Sequence, residues 1–97
     1  MSFGGQSISS GSLTADVAVR ATKCYLSGVV VITNGAANAS VILYDNATTA
    51  TGTVLARIDV LSTDLTGGVI FVNPVRALFG IFLDITGAGA STIVYTI

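Results

Sequence analysis

The chain has 97 residues, of which 52% are hydrophobic and 9% charged, with a formal net charge of −1 and no His. Without His, the catalytic triads that use an imidazole are excluded, and acid–base catalysis would fall to Asp, Lys or Tyr. The four Lys and Arg residues form no cluster, so binding to a phosphate backbone is not expected. Soluble domains usually carry about 25% charged residues; we therefore expect small polar side chains or other subunits to cover much of this surface.

The chain begins with a Gly/Ser-rich stretch, residues 1–12. Such composition favours flexibility, and it predicts either a disordered tail or an arm that becomes ordered when Phe3 or Ile8 docks on a neighbouring subunit. The stretch has no basic segment followed by an apolar core, as a secretory signal would. The apolar runs elsewhere are far shorter than the roughly 18 residues of a membrane-spanning helix. We expect one domain over residues 13–97, made in a cytoplasm, with no membrane partner.

The first half of that domain reads as strands separated by turn residues. Alternation predicts a half-exposed strand over residues 17–22, and a second follows over 23–33, where Gly28 indicates a bulge or a close backbone contact. Further strands are predicted over 39–45 and 53–62. In the last of these, one alternating set is expected to face the core (Val54, Ala56, Ile58, Val60) and the other to face outward (Leu55, Arg57, Asp59, Leu61).

The second half continues with a short strand over residues 69–73, which Pro74 is expected to end because it has no N–H for the ladder. The runs 77–85 and 92–97, separated by glycines, predict a β-hairpin. Both faces of that hairpin are largely apolar, so a second sheet is expected on one side and another chain on the other. The whole predicts an all-β fold: a single β-sandwich or jelly-roll-like domain of about seven to eight antiparallel strands.

Residues that could carry chemistry are few and scattered. Cys24 lies in an apolar run and is expected to be a small buried hydrophobe. The five Asp residues have no metal-binding spacing. Asp45 with Asn46, or Asp64 with its loop carbonyls, could contribute oxygens to a Ca²⁺ site, but no spaced acidic motif supports one. The sequence therefore predicts no cofactor, no metal and no enzyme activity.

Two segments carry a resemblance to a known group of proteins. They are VVVITNGAANASVILYDNATTATGTVLARI and GGVIFVNPVRALFGIFLDITGAGASTIVYTI, which together span most of residues 24–97. Their pattern resembles very small virion structural proteins of tailed bacteriophages. The resemblance implies a capsid decoration (cement) subunit, often a homotrimer, that binds the major capsid protein or other virion proteins, is assembled in the host cytoplasm and resides in the virion. Fibre components are the next role it implies, and it brings no catalytic residues.

Four charged residues interrupt otherwise apolar strand surface: Arg57, Asp59, Arg76 and Asp84. We expect them to lie nearest to subunit contacts, together with Phe3 and Ile8 of the arm. The alternative function is a fibre or lectin-like module that contacts host glycans through residues 44–52. Tyr25, Tyr44 and Tyr95 fit either function, because aromatic rings stack on sugars as well as against neighbouring strands.

Overall fold

A computed structural model describes residues 7–97 of the chain. None of these residues forms a helix, and hence none belongs to a helix that could cross a membrane. Alternating, β-branched segments form eight strands instead, as their composition predicts. The strands are β1 (Ile8–Ser9), β2 (Val17–Arg20), β3 (Cys24–Ile32), β4 (Ala39–Tyr44), β5 (Val54–Val60), β6 (Thr66–Ala77), β7 (Ile81–Thr86) and β8 (Ser91–Thr96).

The strands form two packed four-stranded sheets, and every pairing is antiparallel. Sheet A has the order β1-β8-β3-β6 and sheet B the order β2-β7-β4-β5. The first strand therefore pairs with the last, the second with the seventh, the third with the sixth, and the fourth with the fifth. A long antiparallel ribbon rolled over itself gives this nesting, which is the jelly-roll arrangement. The predicted antiparallel β-sandwich is confirmed.

The core lies between the two sheets and is built from the inward residues of their central strands. Leu26, Val29 and Val31 of β3 are fully buried, as are Val41 and Leu43 of β4. Val29 and Val31, like Val41 and Leu43, are separated by one residue that points out of the sandwich, whereas the register shift after Leu26 places two residues between it and Val29. Two inward positions of β8 are polar instead of apolar: Thr92 and Thr96 face inward and are buried. Their hydroxyls are paired: Thr92 Oγ1 donates to Val30 O at 2.7 Å, and Arg20 Nη1 donates to Thr96 Oγ1 at 3.1 Å.

The predicted C-terminal hairpin is wrong. β7 lies in sheet B and β8 in sheet A, so residues 87–90 cross from one sheet to the other instead of joining paired strands. Gly87 and Gly89 adopt φ angles of 125° and 72°, which non-glycine residues rarely adopt. A glycine-rich turn between two apolar runs is compatible with both connections. The partners of these strands come from distant parts of the chain, which a local pattern does not reveal.

Pro74 does not end a strand, as the sequence predicted, because β6 continues to Ala77. The β3–β6 register runs from Gly28↔Ile70 to Leu26↔Val75, so residues 71–74 bulge from the ladder with no assigned partner in β3. β6 is also an edge strand of sheet A. A bulge on an edge strand is a position where proline is tolerated, since its missing N–H breaks no ladder hydrogen bond.

The predicted alternation of β5 holds over most of the strand but fails at its start. Ile58 and Val60 pack into the core as expected. The β4–β5 register shifts between Leu43 and Tyr44, whose partners are Ala56 and Val54. The extra residue, Leu55, packs against the core, while Val54 is exposed. Such a bulge reverses the phase of the side chains that precede it.

The connections between strands gather at the two ends of the sandwich. At one end, Asn38 Oδ1 of the β3–β4 loop accepts a hydrogen bond from Ser62 N of the β5–β6 loop at 2.9 Å. At the opposite end, Asp45 of the β4–β5 loop accepts hydrogen bonds from the backbone N–H groups of Leu78 and Phe79, at 3.1 and 2.8 Å. The molecule therefore offers two sheet faces and two loop ends to a partner.

Candidate interaction surfaces

The outer face of sheet A is apolar. Val30 of β3 lies between Ile93 of β8 and Gly68 of β6, and in the next row Gly28 lies between Tyr95 and Ile70. Their neighbours along each strand point into the core, so these side chains point outward. Arg76 is the single charged residue in the four strands of this sheet. We call the following residues the apolar face: Val30, Ile32, Ile70, Ile93 and Tyr95.

The bulge of β6 extends the apolar face at its edge. Ile70 is 80% exposed and Val72, within the bulge, is 91% exposed. Phe71 between them packs against the core, which anchors the bulge while its neighbours point into solvent. Contiguous exposed apolar side chains on a small domain mark interaction sites more often than isolated ones do. Sequence reasoning recognised this strand but assigned no contact role to Ile70 or Val72.

A groove of about 270 Å³ crosses the apolar face, lined by Ser7, Ser27, Gly28, Val30, Ile70 and Tyr95. Its floor is Gly28, which has no side chain and lies between Tyr95 and Ile70 in the register. A Cβ at this position would lie 3.2 Å from Val69 O and 3.5 Å from Ile70 Cγ1. The glycine that the sequence marked as a bulge therefore also keeps the groove open.

The outer face of sheet B is charged, and it brings together three of the six predicted interface residues. Arg57 and Asp84 occupy one row with Ile42 between them, and Asp59 and Ser40 occupy the next. Arg57 Nε contacts Asp59 Oδ2 at 3.3 Å in an exposed ion pair. Such pairs contribute little to stability. We call Ser40, Ile42, Arg57, Asp59 and Asp84 the charged face.

Two neighbours on the charged face lower the pKa of the Asp59 carboxyl. Ser40 Oγ donates a hydrogen bond to Asp59 Oδ1 at 2.7 Å. This bond is the main cause that holds the pKa of Asp59 below its usual value, and the Arg57 guanidinium adds to it. Asp59 is therefore ionised down to a lower pH than a free aspartate, and the charged face keeps both signs of charge.

The other three predicted interface residues lie apart from this group. Arg76 is exposed on sheet A, where it pairs with Tyr25. Ile8 is exposed in β1, at the edge of sheet A beside β8. Ser10 N donates to Val94 O at 2.9 Å, which continues this edge toward the body of the domain. Phe3 lies outside the described residues.

The loop end at Asp45 contains the segment that the sequence offered as a glycan-binding loop. Asn46 Oδ1 accepts hydrogen bonds from the N–H groups of Thr48 and Thr49, at 2.8 and 3.0 Å, which fixes the loop. Phe79 lies next to this loop because its backbone N–H donates to Asp45, and its side chain is 65% exposed. An exposed aromatic ring beside small polar side chains offers a flat apolar surface on which a sugar ring can stack. Sequence reasoning placed Phe79 in a strand and missed this position.

The opposite loop end exposes two leucines, Leu61 and Leu65. Leu65 adopts a φ of 66°, which is costly for a bulky residue. Its carbonyl accepts a hydrogen bond from Thr33 N at 2.7 Å, so the β5–β6 turn is held against the β3–β4 loop. Leu61 follows β5 of sheet B and serves below as a comparison for the apolar face.

The side chains that could bind a metal or act as a nucleophile, Asp45 and Cys24, are hydrogen-bonded or buried. Both carboxylate oxygens of Asp45 accept backbone hydrogen bonds, so the suggested Ca²⁺ ligand already has a structural role. Among residues 7–97, no three Cys or Asp side chains lie together as a metal site would require. Cys24 is buried, as predicted, and burial raises the pKa of its thiol. A buried thiol with a raised pKa is a poor nucleophile.

Comparisons with known proteins do not assign this chain to a family. A scan against models of protein families, a search of curated proteins and a search of solved structures each returned no match.

Proposed function

We propose that this protein is a structural assembly subunit that binds through the apolar face of sheet A. The observation that carries the proposal is the exposure of Ile70 and Val72 on a face whose strands contain one charge. Burying apolar surface gains about 25 cal/mol per Å², before the costs of association. Covering this face with a second apolar surface is therefore favourable in free energy, since few charges lose their hydration when the two surfaces meet.

The particular role we propose is that of a bacteriophage capsid decoration subunit, acting as a homotrimer on a shell of major capsid protein. Two observations support this role. The sequence resembles small phage virion proteins, and the jelly roll is an architecture common in viral capsid domains. The same architecture also serves lectins and other functions, so the fold alone leaves the choice open. Repetition of one modest contact around a symmetric shell would raise the overall affinity.

The experiment has two stages. Light scattering behind a sizing column gives the mass of the purified protein, for which one chain contributes 9.8 kDa. Cosedimentation with shells that lack the protein then measures binding. A species of three chains that binds shells is the expected result. A stable monomer that does not bind shells would overturn the proposal.

Matched variants assign the contact to a face. Ile70→Asp places a charge on the apolar face, and Leu61→Asp places one on an exposed leucine of a loop end. Because both side chains are exposed, neither substitution is expected to unfold the protein. We expect Ile70→Asp to weaken association by more than about tenfold and Leu61→Asp to leave it unchanged. Equal behaviour of the two variants would contradict the assignment to the apolar face.

A second candidate function is glycan binding at the Asp45 loop end, in a fibre or lectin-like module. The exposed Phe79 ring beside the ordered Asn46 loop favours it. The test is a glycan array that includes the host surface polysaccharide, with Phe79→Ala as the variant and Leu61→Ala as the control. Binding that is lost only in Phe79→Ala would support a lectin-like role, and an array without any hit would exclude it.

A further inference from the structure

The chain turns onto the apolar face at its first described residue. Ile8 pairs with Thr96 of β8 at the outer edge of sheet A, yet Ser7 Oγ lies 2.8 Å from Ser27 Oγ of β3. β8 separates β1 from β3, so two interstrand spacings of about 4.8 Å lie between these strands. Two serine side chains do not span that separation. Ser7 has therefore left the line of β1 and crossed toward β3.

This crossing leads the chain into the groove. Ser7 and Ser27 line it together, and Gly28, Ile70 and Tyr95 lie beyond them. The lining contains no charged residue. The hydroxyl of the largely buried Ser27 is held by Ser7, which fixes the entry of the chain at one end of the groove. A segment that continues in this direction passes over Gly28 toward the edge strand β6.

We propose that residues 1–6 of the same chain occupy this groove, with the Phe3 ring over Gly28 between Tyr95 and Ile70. Phe3 lies four residue steps before Ser7, a reach of up to about 14 Å, whereas one interstrand spacing of about 4.8 Å separates β3 from β6. Residues 1–6 contain no charged side chain, so their docking buries no side-chain charge in the uncharged lining. Gly4 and Gly5 allow the chain to turn close to the sheet.

The ring has suitable partners in this position. Phe, Tyr and Trp side chains bury about 150–250 Å² each when packed, and aromatic pairs prefer offset or edge-to-face geometry. Tyr95 offers such a partner on one side and Ile70 offers an aliphatic wall on the other. The docked segment would fill the groove above Gly28 and join the apolar side chains on its two sides into one surface. This site is intramolecular and does not depend on the proposed role in a shell.

Because the chain contains no Trp, Phe3→Trp gives a single fluorescent reporter. We expect a blue-shifted emission and an acrylamide quenching constant several-fold below that of a free Trp peptide. The double variant Phe3→Trp/Ile70→Asp is expected to restore solvent-like emission and quenching. The matched double variant Phe3→Trp/Leu61→Asp is expected to keep the protection. Solvent-like emission in Phe3→Trp itself would overturn the proposal.

Dilution distinguishes the same chain from a neighbouring one. Intramolecular docking predicts protection that is independent of protein concentration, and protection that disappears on dilution would overturn it in favour of exchange between copies. A second measurement uses the native residue: nuclear Overhauser effects between the Phe3 ring and the Ile70 methyl groups, recorded on a mixture of labelled and unlabelled chains. We expect these effects within one chain, and their absence would contradict the proposal even if a variant misfolds.

Discussion

The two sheets share one core but present different outer faces to solvent. Three of the nine charged residues lie on the charged face of sheet B (Arg57, Asp59 and Asp84), whereas the strands of sheet A contain one (Arg76). Sheet A instead carries Ile70 and Val72 in an edge bulge and a glycine-floored groove. A charged outer face is readily solvated, whereas an apolar one gains free energy when a partner covers it. This difference is the reason that we propose sheet A, and not sheet B, as the packing surface.

The largest effect on stability is expected for Gly68→Ala in sheet A. A Cβ at position 68 would overlap the carbonyl oxygen of Val29 and lie 3.1 Å from the Cα of Val30. These are backbone atoms, which do not move aside without disturbing the β3–β6 ladder. We expect a loss of about 3 kcal/mol in the free energy of unfolding, as severe overpacking causes, measured by denaturant titration.

Gly28→Ala provides the graded control. Its added Cβ would lie 3.2 Å from Val69 O, so a small shift accommodates it and the loss should be smaller than that of Gly68→Ala. An equal or reversed order would show that close packing of β3 and β6 does not set the stability of this face.

The next effect concerns association and compares the two faces directly. Ile70→Asp on the apolar face should weaken self-association by more than tenfold, because burying one isoleucine contributes about 2 kcal/mol. Arg57→Glu on the charged face should change it far less, since exposed ion pairs contribute under about 1 kcal/mol. Sedimentation equilibrium of both variants measures the difference.

The opposite result has a definite meaning. If Arg57→Glu dissociates the oligomer and Ile70→Asp does not, the interface is the charged face, as the sequence predicted for Arg57, Asp59 and Asp84. Arg76→Glu is the companion variant, because Arg76 lies on sheet A beside Tyr25. A loss of association in Arg76→Glu and Ile70→Asp together would place the contact on sheet A and keep one of the predicted charges within it.

A smaller effect is expected at the loop end that joins the sheets. Asp45→Ala removes the acceptors of two backbone N–H groups, those of Leu78 and Phe79. We expect a loss of about 1–2 kcal/mol in the free energy of unfolding, since water replaces part of each lost bond. Asp45→Asn retains one acceptor oxygen and should lose less. Asp64→Ala, in the exposed turn at the other end, is the control and should leave the melting temperature unchanged.

The sequence predicted the fold class because strand alternation and turn residues are local signals. It correctly expected the buried Cys24, and the Gly28 bulge is present as a register shift between Leu26 and Gly28. It failed where distant residues decide the structure. The β7–β8 connection crosses between sheets because β7 pairs with β2 and β4, while β8 pairs with β1 and β3. No feature of residues 86–91 alone encodes those partners.

The candidate surfaces were harder to predict than the fold. The charged residues were predicted as contact residues because charges are rare in this apolar sequence. In the structure, however, Ile70, Val72 and Phe79 are among the most exposed apolar side chains. In β8 the usual expectation is reversed, since Thr92 and Thr96 are buried while Ile93 and Tyr95 face outward. The inward threonines are tolerated because Val30 O and Arg20 supply their hydrogen-bond partners, which only the folded structure reveals.

The smallest expected effect is on the pKa of Asp59. Its titration distinguishes the charged face from the apolar face without unfolding the protein. The lowered pKa of Asp59 means that the folded protein favours the ionised carboxyl. Its stabilising contribution is therefore present above the unfolded-state pKa and is lost as the pH falls through the folded-state pKa. Because the carboxyl is exposed, we expect little change in overall stability. Nuclear magnetic resonance titration of the Asp59 side chain should show the lowered pKa.

Ser40→Ala tests the cause of that shift. It removes the hydrogen bond at 2.7 Å that is the main cause of the shift, so the pKa of Asp59 should rise toward its usual value, while Arg57 keeps part of the effect. The apolar face contains no group that titrates in this acidic range. Self-association should therefore stay constant while Asp59 protonates. If association instead follows the Asp59 titration, and shifts with it in Ser40→Ala, the charged face belongs to the interface and the division of roles between the sheets is wrong.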